Sequence, residues 1–327
     1  MIADQQGLPS LQDMPRYKGN LHSHTTNSDG CLTPAEAVTA FRERGYQFLC
    51  LSEHDLFTDY SGEFDREDFI ILPGIEASAY LYADESHTAR LRCHHMHGIL
   101  GTDEMVAAAP ERFAHMERLE PPAYVGTWDG LAVARELGAE LAAHGCAVTY
   151  NHPIWSRIEP EDLMGLDCAF GIEVWNYDTV NECALGADTV YWDMLLRRGI
   201  HVGAIAADDN HNPGTFDDAF GGWVVVCAPE LTRDAVVRAL LDGRYYSSSG
   251  PEVHGFGVND GRAWIECSPC ERVNLICGGP IGVGETRIAP EGELLERAEF
   301  TLRGTETYLR FECVGANGRT AWTNALR

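Results

Sequence analysis

Short unbroken apolar runs alternate along the chain with stretches in which apolar residues recur every three or four positions. Residues 48–51, 69–75, 146–150, 171–176 and 202–206 are runs of the first kind, with the length of strands buried on both faces. Residues 93–100 (Cys-His-His-Met-His-Gly-Ile-Leu) alternate instead, so His95 and His97 share one face of a strand and His94 takes the other. Between the runs lie helical patterns. Thr33-Pro34-Ala35-Glu36 is a capping box with proline at the first helical position, followed by an apolar stripe of Ala37, Val38 and Phe41. A longer helix is predicted over 127–144, with Leu131, Ala134, Leu137 and Leu141 inward and Gly145 as its stop. Further helices are expected over 188–198 and 232–242.

Alternation of strand and helix predicts an α/β fold with a parallel sheet. Polar residues repeatedly end the strand runs, which suits a barrel with its site on the C-terminal face. The pattern changes at Ser247-Ser248-Ser249-Gly250-Pro251. Beyond it only short strand-like runs remain, with Asn259-Asp260-Gly261 and Ala316-Asn317-Gly318 as hairpin turns. The expected division is an N-terminal arm over 1–16, a barrel over 17–250 and a small all-β, sandwich-like module over 251–327.

The residues ending the strands carry the chemistry. His22-Ser23-His24 is an H-x-H pair at the end of a short strand over 17–21, so both imidazoles lie on one face, and Asp29 follows in the next loop. An isolated pair of this kind reads equally well as polar side chains reaching water. Ligand-type residues recur, however, as His54, Glu76, His95 or His97, His152, Asp209 and His211. One ion needs about four to six ligands, so this set implies at least two ions sharing a carboxylate, with Glu76 the chosen bridge. Mixed imidazole and carboxylate ligation suits zinc, manganese or iron, and two or three divalent ions are expected.

Composition narrows the context. The 327 residues, 45% hydrophobic, can bury a full core. A formal net charge of −26 predicts no nucleic acid polymer and no anionic membrane as a partner, since both would be repelled. With no basic, apolar leader and no apolar run of bilayer length, the expected location is cytoplasmic. Eleven scattered cysteines read as reduced thiols, and Cys267-x-x-Cys270, lacking a second pair, is not expected to hold zinc.

His22-x-His24 with Asp29, then Glu53-His54-Asp55, Gly74-Ile75-Glu76, Asn151-His152-Pro153 and Asp209-x-His211, together resemble the PHP (polymerase and histidinol phosphatase) superfamily over about residues 17–250. The segments Asn151-His152-Pro153-Ile154-Trp155-Ser156, Glu173-Val174-Trp175-Asn176 and Ala321-Trp322-Thr323-Asn324 also resemble the branch with carbaryl-hydrolase-like proteins, whose members attach a small β module. The resemblance implies a distorted (β/α)7 barrel with a trinuclear site. Carried over by position, it implies His22, His24, Glu76 and Asp209 on one metal, His95 and His152 with Glu76 on a second, and Asp29, His54 and His211 on the third. His95 is preferred to His97 because Gly98-Ile99-Leu100 then continues the strand as in the family.

The expected reaction is hydrolysis of a small phosphate ester, a nucleotide or sugar phosphate, by a hydroxide bridging the metals. Bound cations would lower the pKa of that water from about 16 toward about 7. By the same resemblance Asp209 accepts the proton, His54 or a metal-bound water serves the leaving group and Arg157 holds a phosphate oxygen. Arg157 also reads as an ordinary exposed arginine before a turn, and Trp155 as either pocket wall or core. No G-x-S-x-G or G-x-x-x-x-G-K sequence occurs. The alternatives are a carboxylic or carbamate ester hydrolase on the same site, favoured by few basic residues near the motifs, and a non-catalytic binding module.

Overall fold

The computed structural model describes residues 2–10 and 12–327. Its principal strands are β1 (Arg16–Asn20), β2 (Phe48–Leu51), β3 (Ile70–Tyr82), β4 (Arg90–Leu100), β5 (Cys146–Tyr150), β6 (Gly171–Asn176), β7 (Gly203–Ala207), β8 (Trp223–Cys227) and β9 (Tyr245–Ser248). After them come β10 (Val253–Asn259), β11 (Arg262–Cys270), β12 (Arg272–Cys277), β13 (Leu295–Thr301), β14 (Leu309–Val314) and β15 (Thr320–Thr323). The longer helices are α1 (Pro34–Glu43), α2 (Gly130–Ala143), α3 (Thr189–Arg197) and α4 (Arg233–Leu241). Shorter elements are named by their residues.

The fold is mixed α/β around a large sheet of 14 strands, in the order β7-β6-β5-β4-β3-β2-β1-β8-β9-β15-β14-β12, with Glu285–Ile288 at the far edge and Ala123–Val125 paired with β3 off this path. β1, β2 and β3 pair in parallel, as do β5, β6 and β7. The expectation of a wholly parallel sheet needs correction, because β4 runs antiparallel to both β3 and β5. The apolar run expected over 69–75 continues through Glu76 to Tyr82, every residue buried, and no crossover helix follows β3. A polar turn at residues 83–89, held by Asp84 Oδ1 accepting from the Ser86 amide, returns the chain as its hairpin partner.

Period-two alternation sorts the strand residues between layers. Phe48 and Cys50 join Ile70, Leu72, Ile99, Ala147 and Ile205 in one apolar cluster. Leu49 and Leu51 point the other way, onto Ala37, Val38 and Phe41 of α1. Helices α2 and α3 cover the opposite side through Val133, Leu137, Leu141, Trp192 and Leu195, packed on Ile75, Met96, Val148 and Ile172. Leu131, expected inward, is only partly buried at the rim of that cluster. Beyond β7 the parallel bridge Ser23–Asn210 ties the segment after β1 to the segment after β7. The amide of Asp209 donates to the His22 carbonyl (3.0 Å), and the amide of His24 to that of Asn210 (3.0 Å).

The C-terminal strands extend the large sheet through β15 and build a second sheet of four strands, Gln5–Gln6, β10, β11 and β13. Both predicted turns are hairpins: Asp260 and Gly261 have positive φ between β10 and β11, as do Asn317 and Gly318 between β14 and β15. The expected N-terminal arm is pinned, since Gln5–Gln6 pairs with β10 and Ile2 and Leu8 are buried in the apolar layer between the sheets. No helix among the described residues is long and apolar enough to cross a membrane.

Candidate metal centre

Six strands deliver the predicted residues to one place. His22 and His24 follow β1, His54 follows β2, Glu76 lies within β3, His95 within β4, His152 just after β5, and Asp209 and His211 just after β7. The loop after His24 folds back on itself: Gly30 donates its amide to Thr25 O (2.9 Å), and a Cβ on Gly30 would lie 2.5 Å from His24 O. Only glycine fits there, and Asp29, beside it, is turned over His24, His54 and His211. Two site residues occupy backbone conformations that L-residues seldom adopt, His152 at φ 21° and Asp209 at φ 58°. Such outliers persist where surrounding contacts over-determine them.

Glu76 is the centre. Its Oε1 lies 3.2 Å from His22 Nε2, 3.3 Å from His95 Nδ1 and 3.3 Å from His152 Nε2. The other oxygen, Oε2, lies 2.9 Å from His54 Nδ1 and 3.4 Å from His24 Nε2. Asp209 Oδ1 is 2.8 Å from His22 Nε2 and 3.0 Å from His24 Nε2. Asp29 completes the outer end, at 3.4 Å from His211 Nε2 and 3.6 Å from His54 Nε2. Donor atoms of His22, His24, Glu76 and Asp209 all lie within 4.8 Å of one another, as do those of His24, Asp29, His54 and His211, and those of His54, Glu76 and His95.

Close as they are, several of these atoms make no aligned hydrogen bond. Glu76 Oε2, Asp209 Oδ1, His54 Nδ1 and both ring nitrogens of His95 are buried without a partner. Buried polar atoms left in this way are costly. Lone pairs that converge on shared points, rather than along N–H directions, fit divalent cations held between them. The local charges mark the cluster as anionic, a place where positive charge is favoured. Burial alone would raise the Glu76 carboxyl, but His22, His95 and His54 hold it well below its ordinary value. His22 is raised well above an ordinary imidazole because Asp209, Glu76 and Glu173 together outweigh its burial. His95, with burial dominant, is pushed down to about 4 and is therefore a neutral donor at pH 7.

His95 and His97 share a face, as their alternation predicts, and both are buried. Only His95 reaches Glu76. His97 packs edge-on against His22, ring centroids 4.1 Å apart, and groups with His22 and Glu173. His94 points away, sharing a 2.6 Å hydrogen bond with the Tyr150 hydroxyl and stacking on Trp128.

Several supporting residues escaped the sequence reading. Glu173 holds His22 Nδ1 at 2.7 Å and accepts from the His152 amide and from Asn176 Nδ2. Glu53 accepts from the Thr25 amide and the Ser28 hydroxyl, fixing the Asp29 loop. Asn151 donates to Glu76 Oε1 at 2.6 Å, and Asn176 to Asp209 Oδ2 at 3.0 Å. Glu53 and Asn151 adjoin the ligands His54 and His152 in sequence, and Glu173 is a carboxylate inside the apolar run Gly171-Ile172-Glu173-Val174 three residues before Asn176; these were the visible signals. A cavity of about 640 Å³ opens over the cluster, walled by Tyr80, Arg90, Arg118, Trp155 and Phe216. Arg157 does not line it. Its backbone turns at φ 59°, and it faces an adjoining groove with Arg90, Cys93, Ser156 and Leu185.

No family model matches the chain. Among solved structures, a "two-domain protein containing predicted PHP-like metal-dependent phosphoesterase" from Bacteroides vulgatus aligns over 99% of this chain and 98% of its own, at 15% identity and TM-score 0.47. An amidohydrolase from Chromobacterium violaceum aligns over 69% of this chain and 96% of its own, at 17% identity and TM-score 0.40. Among curated proteins, the 5'-3' exoribonuclease Rnm of Escherichia coli is 32% identical over 143 residues, covering 41% of this chain and 45% of the relative. The Salmonella typhimurium protein of the same name is 31% identical over 142 residues, with the same coverage. The chain thus spans about half the length of the curated relatives it matches.

Those relatives overturn the expectation that a nucleic acid polymer is excluded, because they are named for degrading RNA. The physical reason is one of scale. Net charge is a whole-surface average, and surface charges more than about 10 Å apart are largely screened at moderate salt. A site lined by Arg90 and Arg118 presents its own local charge to whatever enters.

Proposed function

We propose that the chain is a PHP-type, metal-dependent phosphoesterase acting on phosphate esters of nucleotides and on the phosphodiesters of short RNA. The observation that carries this reading is the Glu76 carboxylate, whose two oxygens each face two or more imidazoles in a buried cluster. Divalent ions held there would supply Lewis acidity and lower the pKa of water at the site. The ligand set proposed is His22, His24, Asp29, His54, Glu76, His95, His152, Asp209 and His211. Glu173, Asn151 and Asn176 orient three of these, His22, Glu76 and Asp209, through the hydrogen bonds described above.

The chain's own groups divide the work. Asp209 is the proton acceptor for attacking water, and His54, part exposed at the cavity, serves the leaving group. Arg90 and Arg118 take the phosphate-binding role expected of Arg157, since they line the cavity and Arg157 does not. Arg90 and Arg118 stand among lining carboxylates such as Asp178 and Glu182, and they give an anionic phosphate two charged donors that a neutral carboxylic or carbamate ester would not use. Tyr80 and Trp155, which both line the cavity, offer faces on which a base can stack. We further propose a distorted seven-stranded barrel, β1 to β7, closed where the Ser23–Asn210 bridge joins its ends, with residues 251–327 as a separate β module.

A direct comparison tests the reading. With added manganese, hydrolysis of a short 5′-phosphorylated RNA and of p-nitrophenyl phosphate should exceed that of p-nitrophenyl acetate. Arg118→Ala should raise KM for the phosphate substrates more than it lowers kcat. Faster turnover of the acetate, insensitive to Arg118→Ala, would transfer the assignment to carboxylic esters.

A further inference from the structure

A second cluster of metal-ligating side chains lies far from the first. Cys267, Cys270 and Cys313 are buried to within 1% of complete exclusion from solvent, and their three sulfurs all lie within 4.8 Å of one another. Cys267 and Cys270 belong to β11 in the four-stranded sheet, and Cys313 to β14 in the large sheet. The group therefore spans the apolar layer between the two sheets.

Strand geometry alone would not assemble it. Side chains three positions apart on a regular strand point to opposite faces, and along β11 the inward positions are Ala263, Ile265 and Cys267. The next inward residue is Cys270, not 269, because the pairing with β13 shifts register between Glu266 and Cys270. This bulge, with Pro269 exposed at its crest, flips the parity and turns the second sulfur in beside the first. Cys313 approaches from the facing sheet, between partners Val273 and Ala321. Among the described residues no histidine or carboxylate joins the three within the same distance.

We propose that Cys267, Cys270 and Cys313 form a three-sulfur site for one monovalent, thiophilic cation, copper(I). Thiolate donors select soft cations, and zinc takes four ligands where this site offers three. Binding exchanges thiol protons for the ion, which leave to solvent as the three S–Cu bonds form. The site would clamp the two sheets of the C-terminal region, independently of the centre around Glu76.

The test uses reduced, manganese-loaded full-length protein titrated anaerobically with copper(I) in the presence of a chromophoric chelator. The expected result is removal of one equivalent from the chelator, with copper X-ray absorption showing sulfur neighbours only. Cys267→Ala with Cys270→Ala should lose that equivalent while keeping phosphatase activity, which also reports that the variant folds. Nitrogen or oxygen neighbours around the copper in the unaltered protein would overturn the proposal without reference to any variant. So would an undiminished equivalent in the double variant, or displacement of the copper by equimolar zinc.

Discussion

At the level of single residues, Glu76 has no substitute in the cluster. Glu76→Gln keeps the shape but replaces one acceptor oxygen by a donor amide facing imidazole nitrogens, so metal content and turnover should fall together by at least about a hundredfold in activity. Elemental analysis beside a p-nitrophenyl phosphate assay checks it, and retained metal with lost activity would point to a proton-transfer role instead. His22→Ala with His24→Ala should likewise abolish turnover while leaving the circular dichroism signal largely intact. His94, on the outward face of the same strand, gives a contrasting prediction. Burial dominates and pushes it down to about 3 from an ordinary 6.5. The unfolded chain therefore takes up a proton first as pH falls, and the stability contributed by neutral His94 is lost between about pH 6.5 and 3. One such group sets a slope of up to about 1.4 kcal/mol per pH unit. In His94→Gln, urea denaturation at several pH values should show a shallower acid slope than the parent, and an identical slope would contradict the burial.

Secondary elements were legible where one physical signal dominated. The capping box at Thr33 and Glu36 is formed as read, with the Thr33 amide donating to Glu36 Oε2 at 2.9 Å. Strands β2, β5 and β6 match their apolar runs because nothing competes with burial there. The hairpin of β3 with β4 was not legible, since Ser78, Tyr80 and Tyr82 do not read as a continuing buried run and the direction of a returning strand leaves no mark in alternation. The site residues stood out as ligand types at strand ends. Their supporters, Asn151, Asn176, Arg90 and Arg118, did not, because asparagines and arginines at the ends of elements are ordinary. For α1 the expectation is specific: Thr33→Ala removes a cap and should cost about 1 kcal/mol in denaturant unfolding. Activity should survive, because Gly30 and Glu53 hold the Asp29 loop separately.

Across the whole molecule, a net charge of −26 is a poor guide to partners and a better guide to cations. Carboxylates and imidazoles gathered at Glu76 are stabilised together only when positive charge sits among them. Manganese at a hundredfold excess over its Kd should therefore stabilise the fold by about 2.7 kcal/mol, and chelation should reverse the rise in Tm. The convergence of donors from six strands is the central claim, and anomalous diffraction at the manganese edge from crystals grown with that metal tests it most directly. Two or three peaks between Glu76, Asp209 and the surrounding histidines are the predicted result. A cavity empty of anomalous signal at full manganese occupancy elsewhere would contradict it.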